Sequence, residues 1–305
     1  MKNLSRRKFL KTSGLLMAAP LMPSFFEMKK QKPLLSFSTL GCPDWDFKKI
    51  TDFAVQHNYQ GIEVRGLLHE MDLTKCPEFN SAQNISNTLS VMKDKNLAFV
   101  DLGSSTNLHI SDLRERTKNL NEAKRFVDLA EKINCPFIRV FPNQIPPKQD
   151  KNETIDLITK GLIELGNYAK GSNVKVLMET HGDLVWSNDL KKIMVSAFND
   201  HTGLVWDITN MWSVTKEPPE EVYKRLKKYI RHTHVKDLKM ENGKEHYVLL
   251  GQGEVPIFTA IDALRKGGYK GYYSFEWEKL WHPEIADPEI AIAEYSKVML
   301  KHFGE

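Results

Sequence analysis

At 305 residues the chain is long enough to bury a full core, as one large domain or two ordinary ones. Its formal charge of +4 comes from the N-terminus: residues 1–32 hold eight Lys/Arg and one Glu, and the rest carries −3. A slightly acidic body lacks the clustered basic excess of a nucleic-acid binder, so a small ligand is the expected partner.

The chain opens with Ser5-Arg6-Arg7-Lys8-Phe9-Leu10-Lys11 and an apolar stretch over 15–26. Ser before the arginine pair, Phe-Leu after it, a further Lys and then an apolar run make a twin-arginine export signal. Pro20 and Pro23 interrupt the stretch, which falls short of the roughly 20 residues of a spanning helix. A cleaved signal is therefore expected over 1–32, with the twin-arginine translocase as a transient partner and the periplasm as destination. Cys42, Cys76 and Cys135 are odd in number and lack Cys-x-x-Cys spacing, which points to buried thiols rather than a disulfide framework or zinc cluster.

From residue 33 onward, short apolar runs alternate with amphipathic segments. Strands are expected at 34–39, 61–65, 98–103, 137–141, 174–180, 203–208, 230–235 and 271–275. Helices are expected between and after them at 47–57, 81–95, 113–133, 152–169, 188–198, 219–229, 257–266 and 288–302. Eight strand-then-helix units predict a single α/β domain over 33–305, a closed (β/α)8 TIM barrel. Gly61, Gly203 and Gly271 stand just before strands, where positive φ is expected after a helix end. Residues 239–252, with Glu241-Asn242-Gly243-Lys244 as a tight turn, read as a β-hairpin inserted after strand seven.

Four apolar runs in the second half each end in a polar residue: Glu179, Asp207, His234 and Glu276. Their spacings each fit one βα unit, so consecutive parallel strands bring the four side chains together. A carboxylate at the end of a buried strand is costly unless paired, hydrogen-bonded or bound to a metal. Three carboxylates and one imidazole form a mostly oxygen site for one divalent ion, with Mn²⁺ first and Mg²⁺, Co²⁺ or Zn²⁺ as alternatives. Such an ion polarises a sugar carbonyl, and Glu179 and Glu276 are the candidates to move a proton beside it.

Alternation along strands puts His232, His234 and Lys236 on one face, with Lys236 at the barrel mouth to hold a hydroxyl or an oxyanion. Glu63 and Arg65 share a face of strand two, and Arg139 on strand four requires a nearby acid. His181 and His282 are candidate ligand contacts. Trp45, Trp186, Trp212, Trp277 and Trp281 fall in or near loops after strands, where flat apolar faces suit sugar rings.

Six blocks carry a family resemblance: Gly61-Ile62-Glu63-Val64-Arg65, Met178-Glu179-Thr180-His181-Gly182, Trp206-Asp207-Ile208-Thr209-Asn210, His232-Thr233-His234-Val235-Lys236-Asp237, Leu250-Gly251-Gln252-Gly253-Glu254-Val255 and Phe275-Glu276-Trp277-Glu278. In this order they resemble the sugar phosphate isomerase/epimerase family, the xylose-isomerase-like TIM barrels. The resemblance implies a metal site of Glu179, Asp207, His234 and Glu276, with the two glutamates as acid and base. With a carbohydrate as the expected substrate, the candidate substrate contacts are Lys236, His181, Asn210, Glu63 and Arg139. Some epimerases of this type carry His where this chain has Asn210, a departure that weakens a ketose 3-epimerase assignment.

The expected activity is metal-dependent isomerisation, epimerisation or (de)hydration of a sugar or keto-sugar through an enediolate. Exported relatives resemble enzymes of 3-keto-glycoside breakdown. Two alternatives stand beside it, a non-catalytic periplasmic sugar-binding protein and a metallohydrolase. A homo-oligomer is compatible with all three.

Overall fold

Short apolar runs separated by amphipathic segments become a closed ring of parallel strands. The computed structural model describes residues 32–305, and the twin-arginine segment lies outside the described residues. Within them, the barrel strands are β1 (Leu35–Ser38), β2 (Gly61–Val64), β3 (Ala98–Asn107), β4 (Phe137–Phe141), β5 (Lys175–Glu179), β6 (Thr202–Asp207), β7 (Ile230–Val235) and β10 (Tyr273–Phe275). Consecutive barrel strands pair in parallel, and β1 closes the ring against both β2 and β10. β8 (Asp237–Glu241) and β9 (Lys244–Val248) form an antiparallel hairpin directly after β7. Its turn residues Asn242 and Gly243 have φ of 52° and 75°, the two positive values a two-residue hairpin turn requires.

The helices are α1 (Phe47–Gln56), α2 (Ala82–Asp94), α3 (Leu113–Lys132), α4 (Lys151–Tyr168), α5 (Ser187–Ala197), α6 (Ile208–Thr215), α7 (Pro219–Leu226), α8 (Ile257–Lys266) and α9 (Pro288–Phe303). Side chains of Asp46, Ser81, Asp112 and Asp150 accept first-turn N–H groups of α1 to α4, each cap contributing about 1 kcal/mol. On α3, Leu120, Ala123, Phe126, Val127 and Ala130 form the buried stripe, at the three-to-four-residue spacing of one helix face. The main core lies between the helices and the outward strand residues, among them Phe37, Ile62, Ile138, Met178 and Phe275. Inside the ring the filling is polar: Ser36, Glu63, Asp101, Arg139, His232, His234 and Ser274 are all buried.

Three expectations need correction. The segment after Asp207 is a helix, α6, rather than a loop, because the Asp207 side chain caps it at once. The hairpin begins at Asp237, two residues earlier than expected, since Asp237 already pairs with Val248. Positive φ after α1, α2 and α3 belongs to Asn58, Asn96 and Asn134, whose short polar side chains tolerate it. Gly61, Gly203 and Gly271 do not have it. Gly61 serves close packing instead, as a Cβ there would lie 2.4 Å from Val100 Cγ1.

Candidate metal centre

Glu179 ends β5, Asp207 ends β6, His234 is the penultimate residue of β7, and Glu276 follows β10. Strand register brings them level, with Glu179 opposite Val205, Asp207 opposite His234, and His234 opposite Ser274. One ligand atom from each of the four lies within 4.8 Å of the others, and all four residues are buried. His234 Nδ1 is the hub, 3.3 Å from Glu179 Oε1 and 3.2 Å from Glu276 Oε1. Thr180 fixes the β5–β6 edge, its hydroxyl accepting from Asp207 N–H at 2.9 Å and donating to Asp207 O at 3.1 Å.

The remaining carboxylate oxygens are held by cations. Lys236 Nζ lies 2.7 Å from Asp207 Oδ2, 2.6 Å from Glu276 Oε2 and 2.7 Å from Glu278 Oε1. Arg139 Nε stands 3.1 Å from Glu179 Oε2, although that oxygen accepts no aligned hydrogen bond. Burial pushes the Asp207 carboxyl up to about 7 against the pull of Lys236. Burial also disfavours charge on Glu276, but His234 and Lys236 hold its carboxyl well below the usual range. Burial opposes charge on His234 as well, yet Glu276, Glu63 and Glu179 hold its imidazolium well above the ordinary value.

A second layer lies deeper in the barrel. Glu63 Oε2 is 3.0 Å from His232 Nε2, from His234 Nε2 and from the Ser274 hydroxyl that donates to it. Asp101 joins this group within the same 4.8 Å limit, with both oxygens buried and without a hydrogen-bond partner. Burial and the neighbouring Glu63 push its carboxyl well up, against the pull of Arg139 and His234. Glu63 is not among the residues that line the cleft.

Leu40, Arg65, Arg139, Phe141, Glu179, His181, Lys236, Glu276, Glu278 and Trp281 line the cleft above the cluster. Lys236, His181 and Arg139 are thus brought to the mouth as expected. Asn210 is not among these residues; its backbone N–H donates to Asp207 Oδ1 at 2.8 Å and begins α6. Of the five tryptophans considered for stacking on a sugar, Trp281 alone lines the cleft, 56% exposed, while Trp45 and Trp277 are in the core. His282 packs edge-on against Tyr247 of the hairpin at 5.0 Å. Asp101 and Arg65 were absent from the expected site residues. For Asp101 the signal was a lone acid within the apolar run 98–103; for Arg65 it was the parity it shares with Glu63.

The residues fit a divalent ion. Three carboxylates and an imidazole converge on one point, with Glu179 Oε2 free of hydrogen bonds. Hard oxygen donors with a single nitrogen suit Mn²⁺, Mg²⁺ or Zn²⁺, and His234 has its second nitrogen on a carboxylate, the arrangement that orients ligating histidines. The three cysteines are buried free thiols. No described helix is long and apolar enough to cross a membrane.

Similar folds occur in solved structures. The IOLI protein with a bound zinc atom superposes with a TM-score of 0.75 at 18% identity, covering 90% of this chain and 98% of that one. The probable 3-DHS dehydratase AsbF of Bacillus anthracis gives 0.72 at 18% identity, covering 87% and 98%. The 3-keto-D-glucoside 4-epimerase YcjR of E. coli gives 0.68 at 14% identity, covering 88% and 99%. At such identities the likeness shows the fold alone. Comparison with curated protein sequences yields no match. The Xylose isomerase-like TIM barrel family matches residues 51–300, and with the closed parallel barrel the chain belongs to that family.

Proposed function

We propose that this protein is a divalent-metal-dependent enzyme that removes and returns a proton next to the carbonyl of a sugar or keto-sugar. The reaction is an isomerisation, an epimerisation or a (de)hydration. The observation that carries the reading is the pair Glu179 and Glu276, which flank His234 Nδ1 from β5 and from the end of β10, with β6 and β7 between them. Similar folds serve a 3-keto-D-glucoside 4-epimerase and a probable dehydratase, which supports the same chemistry here.

A bound ion would supply Lewis acidity to a carbonyl and its neighbouring hydroxyl. Glu179, Asp207, His234 and Glu276 would hold it. Glu276, kept ionised by His234 and Lys236, takes the C–H proton as a general base. The C–H electron pair becomes the C=C bond and the carbonyl π pair moves to its oxygen, giving an enediolate beside the Lys236 ammonium and the Arg139 guanidinium. For inversion, Glu179, ionised at rest, takes a proton from solvent as Glu276 releases its own, and delivers it to the other face of the same carbon; for isomerisation, the proton goes to the neighbouring carbon while the hydroxyl proton passes to the first oxygen. Loss of a β-hydroxyl from the same enediolate, leaving as water with the proton that Glu276 took, gives dehydration.

The test is NMR in D₂O with the Mn²⁺-loaded protein and a panel of free sugars and 3-keto-glucosides. Metal-dependent entry of deuterium beside the carbonyl is expected. Its absence across the panel, with metal bound, would overturn the reading in favour of a sugar-binding protein or a metallohydrolase. Export by the twin-arginine pathway belongs to the same proposal, and replacing both Arg6 and Arg7 with Lys is expected to leave the protein in the cytoplasm.

A further inference from the structure

The cations around the cleft are unevenly matched. Lys236 faces three carboxylates within 2.7 Å. On the β2–β4 side two guanidiniums lie beside one another: Arg139 pairs with Glu179, whereas Arg65 has Glu276, Glu122 and Glu179 in its surroundings and pairs directly with none of them. Arg139 is 1% exposed, donates to Ser104 O at 2.8 Å and stacks 3.8 Å from the Phe141 ring centre. Arg65 is 7% exposed, donates to Gly103 O at 3.3 Å and to the Ser105 hydroxyl at 3.1 Å, and forms no ion pair among the described residues. The two arginines meet over Gly103: a Cβ there would lie 2.5 Å from Arg65 Cδ and 2.9 Å from Arg139 Nη2. Only the bare glycine backbone lets both side chains in.

Burying a cation beside another cation is unfavourable unless an anion joins them. Burial, with Arg139 beside it, already lowers the Arg65 guanidinium to about 9. Both side chains open on the cleft that holds Glu179 and Glu276, so a direct anionic partner for Arg65 can arrive with the ligand. We propose that Arg65 and Arg139 bind a carboxylate of the substrate, making it an acidic sugar, a hydroxyketone at the metal ligands with a carboxylate on the β2–β4 side. This rests on the function proposed above and adds the substrate class. Planar guanidiniums suit paired hydrogen bonds to a planar carboxylate.

The test compares D-fructuronate with D-fructose, which differ in having a carboxylate or a hydroxymethyl at one end, by titration calorimetry on the Mn²⁺-loaded protein. D-fructuronate is expected to bind at least about tenfold more tightly, the scale of a desolvated charge-assisted pair. Arg65→Gln is expected to bring the ratio within about threefold, and Arg65→Lys to restore part of it, with Mn²⁺ affinity unchanged in both. Equal binding of the two sugars, no binding of D-fructuronate, a ratio that survives Arg65→Gln, or tighter binding of D-fructose 6-phosphate would overturn the proposal. Should Arg65→Gln fail to fold, the wild-type ratio and Arg65→Lys decide. Deuterium exchange separates the two readings. Preference for the acid without exchange on either sugar removes the enolisation reading and leaves this one. Exchange on D-fructose with no preference for the acid does the reverse.

Discussion

His234 Nε2 lies 3.0 Å from Glu63 Oε2, on the side of the ring away from the cleft, while Nδ1 faces Glu179 and Glu276. A carboxylate on the far nitrogen fixes the tautomer that leaves Nδ1 free to ligate. Glu63→Gln is expected to weaken Mn²⁺ binding by about 10- to 100-fold with little change of shape. Titration of bound Mn²⁺ by electron paramagnetic resonance measures this, and an unchanged affinity would show that Glu63 has no part in orienting the ligand.

Metal and protons compete for the same atoms. The folded-state values of Asp207, about 7, and of His234 both lie above their unfolded values. Their contribution to stability in the metal-free protein is therefore full at low pH, and that of Asp207 is lost as pH rises through about 7. An ion needs both groups without their protons, so its stabilising effect grows over the same window. The Mn²⁺-induced rise in Tm is expected to increase from about pH 6 to about pH 8, as metal-free Tm falls. Calorimetric scans with and without Mn²⁺ provide the check, and a rise in Tm independent of pH would contradict it.

Glu276→Gln removes the base while keeping an oxygen for the ion. Loss of deuterium exchange by about 10²- to 10⁴-fold is expected, the usual share of a general base, with Mn²⁺ binding weakened but retained. Full activity of this variant on a verified substrate would remove the mechanism.

Lys236→Met would leave Asp207, Glu276 and Glu278 facing one another without their ammonium. A cost of about 3–5 kcal/mol in urea unfolding of the metal-free protein is expected, as for other broken buried pairs. Saturating Mn²⁺ is expected to restore part of it. A change below about 1 kcal/mol would place the compensating charge elsewhere.

The barrel and the convergence of Glu179, Asp207, His234 and Glu276 were legible because each of the four ends a short apolar run, a pattern that survives without knowledge of packing. Glu63 and Asp101 were harder to place, since they become partners on β2 and β3 only past a register shift between Ile62 and Glu63, and Glu63 meets His232 and His234 of β7 from a strand that does not neighbour β7. Helix α6 escaped notice because it spans eight residues and its cap, Asp207, was already assigned to the ion. The arginine pair depends on Gly103, whose lack of a side chain is visible in sequence but whose two neighbours are not.

The three inward residues of the β7 edge, His232, His234 and Lys236, alternate with Arg231, Thr233 and Val235. A slip of one residue during assembly would turn Arg231 and Val235 into the polar centre, and send two imidazoles and an ammonium into the apolar layer beneath the helices. The slipped arrangement offers no partners for the displaced groups. The chemistry of the centre thus doubles as a proofreading device for strand closure: a barrel that closes out of register is penalised at the same positions that make the correct one reactive.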